Sequence, residues 1–507
     1  MESRSGPSFF FYSGLLLVLF IIQIGLQVGF NSSLAYPFFL VPFLLFLTAC
    51  IQFRSEFYRQ SLRRCSAAPL LLCLYLLVLL FNQDNQGLWG LSAFYKKPRW
   101  VLGILVWAWQ WSLFPPYGRW MQRLLMSFAR IRFRGIWTAW ALILFALFLL
   151  LRDRAISLDG YEWIETTHNN RWCLYLREVY TILLFRVFYL GLRLGSISAE
   201  WTIVVVSAGC GIIFLRMLPV LARLIYPIGV RRRALMVLGI CATYGIVQLF
   251  FGHIEVYGLL LAGTMIYMIL ALRYLREENA GFPSVAIAHG VLMGFHVGAI
   301  WLLPSCIALP FLKKKRAYSR SPAPALELVR GLVIWIVTGV LLIVPILLYG
   351  YKGNPIAFYS RAFQSVTDTP DSRIFLPLAG LFSGAHILDI LNLAFLNLPV
   401  ILILVFYHWI LRLHSDTKDI TLQFLFVALV STLFFAFTYR LGRGAMKDWD
   451  SFSLTVMIAA VYVSSRIPGN PRGRLCALLY EDLFSIIWLF MLITAFLIVE
   501  NHFHPFS

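Results

Sequence analysis

Apolar runs long enough to cross a bilayer recur along this chain, among them Phe9 to Phe30, Trp137 to Leu151, Trp201 to Leu218, Leu332 to Tyr349 and Phe484 to Val499. A hydrocarbon core is roughly 30 Å thick, and a segment inside it must satisfy its own backbone N–H and C=O groups, which a helix does. Composition agrees, with 60% of the 507 residues hydrophobic, 13% charged and a mean hydropathy of +0.79. The expected fold is all-α, a polytopic transmembrane helical bundle of roughly 13 to 15 spans, with no strands. The first run is too long for a signal-peptide core and lacks a small-residue cleavage site, so it reads as a retained span.

A formal net charge of +20 raises the question of nucleic acid, but the cations fall in alternate loops, as the positive-inside rule requires. The basic set comprises residues 52–64, the loop holding Arg119, Arg123, Arg130, Arg132 and Arg134, then Arg231 to Arg233, Lys313 to Arg316, and Arg466 to Arg474. Placing these in the cytoplasm puts the amino terminus inside, makes membrane lipids rather than nucleic acid the basic partner, and fits a multi-pass protein of a bacterial inner membrane. One loop runs against the rule: Lys96, Lys97 and Arg99 fall on the outer side.

With that orientation, most acids and histidines gather outside, in short irregular segments: 157–171 (SLDGYEWIETTHNNR), 251–257 (FGHIEVY), 296–304 (HVGAIWLLP), 385–392 (AHILDILN) and 440–452 (RLGRGAMKDWDSF). Convergence of that kind points to one extracytoplasmic site. Of the eight cysteines only Cys173 is clearly outside, so no disulfide framework or zinc spacing follows. No Walker loop, dinucleotide fingerprint or HExxH is present, which argues against an ATP-driven pump and a zinc protease.

Four spans precede Gly135, and an even number leaves the orientation of the rest unchanged. Residues 1–134 therefore read as an accessory bundle, 135–465 as the core, and 466–507 as a final span and short tail. Between Ser284 and Leu312 the pattern fits two short helices broken near His296 or one long kinked helix, with Pro304 and Pro310 favouring the break. The stretch from Trp172 to Leu194 mixes Arg177, Glu178, Arg186 and Arg193 with aromatics, as in a helix lying in the membrane interface. Tyr351 to Leu388 is the longest stretch without a clean span and reads as a flap.

A span, an outer loop with an acidic residue (LDGYEWIE, Asp159) and an amphipathic interfacial helix opening on Arg177 and Glu178 together resemble the start of the C-type glycosyltransferase (GT-C) fold. The segments around His253, His296, His386 and Asp450 resemble those of bacterial family-39-like transferases, and the resemblance covers about residues 135–465. It implies transfer of a sugar from a polyprenyl-phosphate donor to a glycan, lipid or protein acceptor on the non-cytoplasmic face. In the usual fold the acidic loop follows the first span. Here it follows the fifth, a difference that the accessory bundle absorbs.

The residues support the same chemistry independently. Glycosyl transfer from a lipid phosphate needs a carboxylate to take the acceptor's proton and cations to stabilise charge on the departing phosphate. Asp159, beside Gly160 at a span end, is the expected general base of an inverting reaction, with Glu162 and Glu165 as spare carboxylates. Arg440, Arg443 and Lys447 form the expected phosphate cradle, since a guanidinium matches phosphate oxygens bidentately and lysine adds a point charge. Asp448 and Asp450 flank Trp449, where they can orient those cations or bind acceptor hydroxyls while the indole stacks on a sugar. Arg177, Glu178, His253, Glu255, His296, His386 and Asp389 complete the expected substrate contacts, and His289 reads as a packing residue. Chemistry by the cations alone and a divalent cation held by Asp159 with a second carboxylate both fit these residues. A secondary transporter and an outer-face glycan ligase or polymerase are the alternatives.

Overall fold

The structure, a computed structural model, describes residues 123, 134–154, 156, 158–170, 178–314, 323–350, 354, 378–397, 405, 419–439, 449–466 and 474–503. The accessory bundle expected over 1–134 thus lies outside the described residues apart from Arg123 and Arg134, as does most of the flap expected over 351–388.

Among the described residues every regular element is helical. In chain order these are α1 (Arg134–Leu150), α2 (Leu158–Asn169), α3 (Val179–Leu192), α4 (Ala199–Ile225), α5 (Val230–Cys241), α6 (Tyr244–Val247), α7 (Tyr257–Arg276), α8 (Phe282–Phe295), α9 (Leu303–Lys314), α10 (Pro324–Gly350), α11 (Leu378–Leu381), α12 (Gly384–Asn397), α13 (Ile420–Thr438), α14 (Ser453–Ser465) and α15 (Arg474–Phe503), with short 3-10 turns between several of them. Helices α4, α7 and α13 and the Pro324–Leu341 part of α10 are each long and apolar enough to cross a membrane, and α5 with Tyr244–Phe250 makes a fifth candidate bent by 71°. The chain is a polytopic, all-α integral membrane protein.

Helix α7 is the hub. It packs on α4 along one side and on α8 along another, and Leu261, Met265, Tyr267, Met268, Leu272 and Tyr274 are fully buried. Two of its phenols find partners, as buried hydroxyls must: Tyr267 meets Ser305 Oγ at 2.8 Å, and Tyr274 donates to the Glu327 carboxylate. Helix α10 is the opposite case, exposing Val329, Val333, Ile336, Val337, Val340 and Leu341 along its length. Water would oppose such a stripe, whereas lipid tails accept it.

Local sequence sets the helix ends. Ser198 caps α4 by accepting from Trp201 N at 3.3 Å, and Asp419 caps α13 by accepting from Thr421 N at 2.8 Å. The break expected near His296 is present, but the histidine makes it. His296 is extended (φ −158°, ψ 127°), ends α8, and its Nδ1 accepts from Gly298 N at 2.9 Å to open the turn Val297–Leu302. Pro304 stands in the first turn of α9, where a missing N–H costs little, and Pro310 lies inside that helix.

Two expected loops are helical. Segment 157–171 forms α2, because its apolar and small residues fall on one face: Gly160, Trp163, Thr166 and Thr167 are buried while Tyr161, Glu162, Glu165 and His168 are exposed. Segment 385–392 lies within α12. The interfacial segment contains α3, which begins after Glu178, buries Ile182, Phe185 and Tyr189, and exposes Val187, Phe188 and Leu190.

Charge is segregated between the two ends of the bundle. At one end, Arg276 donates to Ile225 O and to Thr421 Oγ1, both at 3.2 Å, Tyr226 donates to Ser464 O at 2.7 Å, and Lys313 donates to Ala280 O at 3.1 Å. These contacts gather the carboxyl ends of α4, α7, α9 and α14 with their arginines and lysines. The other end holds the carboxyl end of α1 and the amino ends of α4, α7 and α14, and there the buried acids meet.

Candidate functional site

Two close approaches bring α1 and the 248–256 segment onto α4. A Cβ added at Gly211 would sit 2.7 Å from both Phe148 Cε2 and Phe250 Cβ, so only glycine lets α4 pass between those rings. Gly252 has φ +67°, a conformation natural to glycine, and a Cβ there would stand 2.9 Å from Val204 and 3.0 Å from Arg152. The turn at Gly252 lets Phe251 O accept from Asp153 N at 2.6 Å, which fixes the backbone just past α1 beside the backbone just before α7. The Phe148 and Phe251 rings lock edge to face at 4.7 Å between centroids.

On that frame His253 stands between two aspartates. Its Nδ1 is 2.8 Å from Asp153 Oδ2 and its Nε2 is 3.3 Å from Asp450 Oδ2. The same Asp153 oxygen accepts from Gln248 Nε2 at 3.2 Å. Two residues on, Glu255 accepts from the Trp163 indole N–H at 3.1 Å, joining α2 to the group. Exposure is 3% for Asp153 and 7% for each of His253, Glu255 and Asp450. Burial disfavours the His253 imidazolium, but hydrogen bonds and charge from Asp153 and Asp450 outweigh it and hold its pKa well above 6.5. With carboxylate oxygens at both ring nitrogens, the doubly protonated ring donates in both directions.

A second pair adjoins this one. Glu178 Oε1 lies 3.5 Å from His296 Nε2, the nitrogen left to donate once Nδ1 accepts from Gly298. The Tyr257 ring stands 5.1 Å from the His296 ring, and its hydroxyl meets Ser451 Oγ at 3.0 Å, next in chain to Asp450. Tyr257 therefore bridges the two clusters.

The structure thus unites His253, Glu255 and Asp450 of the expected set, and Glu178 with His296. Asp159 lies in the first turn of α2, partly exposed, one helical turn before Trp163. Glu162 and Glu165 project from the exposed side of α2, and Glu165 accepts from Asn169 at 3.3 Å. His386 is engaged elsewhere, its Nε2 donating to Phe437 O at 2.8 Å and so tying α12 to the end of α13, while Asp389 is partly exposed one turn on. His289 is a packing residue as expected, with Nε2 on Ala299 O at 3.1 Å and Nδ1 accepting from Trp335 at 3.0 Å. Arg177, Arg440, Arg443, Lys447 and Asp448 lie outside the described residues; Trp449 opens the turn Trp449–Phe452 that carries Asp450.

Three members were not anticipated. Asp153 is the first acid after the run ending at Leu151 and stands between Arg152 and Arg154. The arginines in fact turn away, Arg152 to Glu200 at 2.5 Å and Arg154 to His502 at 3.2 Å, leaving the carboxylate to point inward. Gln248 and Trp163 carry no charge and give no motif. His502, expected in a tail, belongs instead to α15 and donates from Nδ1 to Arg152 O at 2.8 Å, closing the last helix onto the site's edge.

Among the described residues, His253, Glu255 and Asp450 each offer one ligand atom, all within 4.8 Å of one another, and could together hold a cation. No family model and no curated protein matches the chain. Among solved structures, the chain is similar to that of ArnT from Cupriavidus metallidurans bound to undecaprenyl phosphate, at 12% identity and a TM-score of 0.46 over 73% of this chain and 77% of that one.

Proposed function

We propose that this chain is an integral membrane glycosyltransferase that moves a sugar, with inversion, from a polyprenyl-phosphate donor to a glycan, lipid or protein acceptor at the non-cytoplasmic face. The observation that carries the reading is the buried group Asp153, His253, Glu255 and Asp450 at the bundle end opposite the basic end. Ionisable side chains so placed are costly and mark function by default. By the positive-inside rule the arginine-rich end is cytoplasmic, which puts the group on the far side.

Asp159 serves as general base. What supports the assignment is its partial exposure in the first turn of α2, one helical turn before the Trp163 that donates to Glu255. The acceptor hydroxyl attacks the anomeric carbon and gives its proton to Asp159, while the bond from that carbon to the phosphate oxygen breaks and polyprenyl phosphate departs with the electron pair. Arg440, Arg443 and Lys447, three to ten positions before Asp450 in the chain, are assigned to the growing phosphate charge. Glu178 and His296 are assigned to acceptor hydroxyls beside Tyr257.

The test is transfer of labelled sugar from undecaprenyl-phosphate donors by purified protein. Asp159→Asn should lower turnover by about 100-fold or more with donor binding kept, since positioned bases contribute roughly 10²–10⁴-fold. Glu277→Gln, exposed at the basic end, should leave it unchanged. Full turnover in Asp159→Asn removes the assignment.

A proton-coupled transporter is favoured by one feature, the 71° bend between α5 and Tyr244–Phe250 that delivers Gln248 to the cluster, since broken helices line transporter sites. Against it, the acids sit at the helix ends rather than at mid-depth. Solute uptake driven by a proton gradient in proteoliposomes, without sugar transfer, would select that reading instead.

A further inference from the structure

We infer that the basic end of the bundle carries a binding site for one anionic phospholipid, its phosphate gripped by Arg232 and Arg466 and an acyl chain laid along α13. Arg232, in the first turn of α5, folds back over the turn before it: its Cζ stands 5.2 Å from the centre of the Tyr226 ring, and a Cβ added at Gly229 would meet its Nε at 3.5 Å. Arg466, just past α14, stands 5.1 Å over the Tyr462 ring. The Tyr226 hydroxyl ties the two stacks together by donating to Ser464 O at 2.7 Å, two residues before Arg466. Stacking occupies the face of a guanidinium and leaves its N–H edge to meet an acceptor.

Among the described residues, no carboxylate pairs with Arg231, Arg232, Arg233 or Arg466, whereas Arg152 and Arg273 pair with Glu200 and Glu277. The Arg466 Nε is buried and has no hydrogen-bond partner, and a buried donor on a charged group is costly until an acceptor joins it. Arg231, Arg232 and Arg233 also crowd the first turn of α5, the end of a helix that repels cations, and the N-cap Gly229 supplies no side-chain acceptor there. The arrangement calls for an anion. Phosphate oxygens match the paired N–H groups of arginine, and basic pockets between membrane helices take phospholipid head groups.

The surroundings select a lipid over a soluble phosphate. Pro227 and Ile228 are exposed beside the arginines, Ile228 at 87%, an apolar tip that water opposes and a bilayer accepts. On the other side the Phe426 ring lies 6.0 Å from the Tyr462 ring. Phe426, Val430 and Phe434, four residues apart and all exposed, then lead along α13 away from Thr421, which Arg276 holds at the basic end. Eight residues of helix cover about 12 Å, close to the roughly 15 Å of hydrocarbon in one leaflet. A continuous path thus runs from the Arg466 guanidinium to an apolar seam of acyl-chain length. General attraction of basic loops to an anionic membrane depends on charge alone; this site depends on which arginine bears it. The inference is independent of the sugar-transfer reading, since no donor enters its test.

The experiment is native mass spectrometry of the full-length protein in detergent, stripped of lipid and titrated separately with dioleoyl phosphatidylglycerol, dioleoyl phosphatidylcholine and inorganic phosphate. One phosphatidylglycerol per chain is expected, with an apparent Kd at least tenfold below that for phosphatidylcholine, and inorganic phosphate should not displace it. Arg232→Gln, Arg466→Gln and Arg466→Lys, the last keeping the charge but losing the planar fork, should each weaken phosphatidylglycerol binding about tenfold. Arg273→Gln, which removes a basic-end charge outside the site, should not. Should the Arg466 variants fail to fold, the wild-type titrations decide alone. Equal affinity for the two lipids, displacement by inorganic phosphate, unchanged binding in Arg466→Lys, or a loss in Arg273→Gln as large as in Arg232→Gln would each overturn the site.

Discussion

Replacing His253 by alanine removes a side chain that bonds both Asp153 and Asp450. Asp153, 3% exposed, would keep Gln248 Nε2 at 3.2 Å among its partners, while Asp450, 7% exposed, would lose the imidazole at 3.3 Å. Hydrogen bonds to charged groups contribute about 1.5–3 kcal/mol each, and breaking a buried pair from one side costs about 3–5 kcal/mol because the remaining charge is stranded. The two routes agree on a loss of about 3–5 kcal/mol. The sharper quantity is coupling: once Asp153 is asparagine, the histidine has less to hold, so the second change should cost less than it does alone. A double-mutant cycle over Asp153→Asn and His253→Ala, read by detergent-denaturation equilibrium with EDTA present, should give a coupling of about 1.5–3 kcal/mol, or roughly 10- to 150-fold in the unfolding constant. The Glu200→Gln and His253→Ala pair should be additive within about 0.5 kcal/mol. Additive behaviour of Asp153 and His253 would refute the claim that these residues form a stabilising buried pair.

Other substitutions probe single contacts. Gly211→Ala should destabilise by about 1–3 kcal/mol, because its Cβ meets Phe148 and Phe250 at 2.7 Å, while Gly209→Ala on the same helix, with nothing within 4 Å, should be neutral or slightly stabilising in thermal melts. Gly252→Ala should strain the 251–256 turn and lower the melting temperature, since φ +67° and the 2.9 Å approach to Val204 oppose a side chain. Trp335→Phe, which removes the donor to His289 Nδ1, should cost about 0.5–1.5 kcal/mol in the same melts.

What the chain reveals before folding depends on which force acts. Partition between lipid and water acts on runs of about twenty residues, so the helical class and the basic and acidic ends are written in composition and loop charge. The histidines and acids that meet, His253 with Glu255 and Asp450, are visible because a charged residue beside an apolar run needs a reason. Short amphipathic helices are less visible: α2 has the stripe Gly160, Trp163 and Thr167, yet its acids and asparagines resemble a loop. Asp153 is hidden by its neighbours, since only the three-dimensional placement of Glu200 and His502 draws Arg152 and Arg154 outward. Gln248 and Trp163 reach the cluster through a bend and a helix face, and neither has a local signature. Asp159, expected in a loop, lies in α2, and its side of that helix follows from Trp163 and Gly160 packing inward, which residue type alone does not specify.

The ionisable members of the cluster all stand a few residues beyond a helix end: Asp153 after α1, His253 and Glu255 before α7, Asp450 before α14. Their mutual distances are therefore set by how far each helix protrudes from its neighbours. A bilayer thicker or thinner than the bundle's apolar height makes helices tilt or slide, and such sliding would open or crowd the Asp153–His253–Asp450 chain by fractions of an ångström. Lipid chain length should therefore be felt at this site through the helices that carry its members.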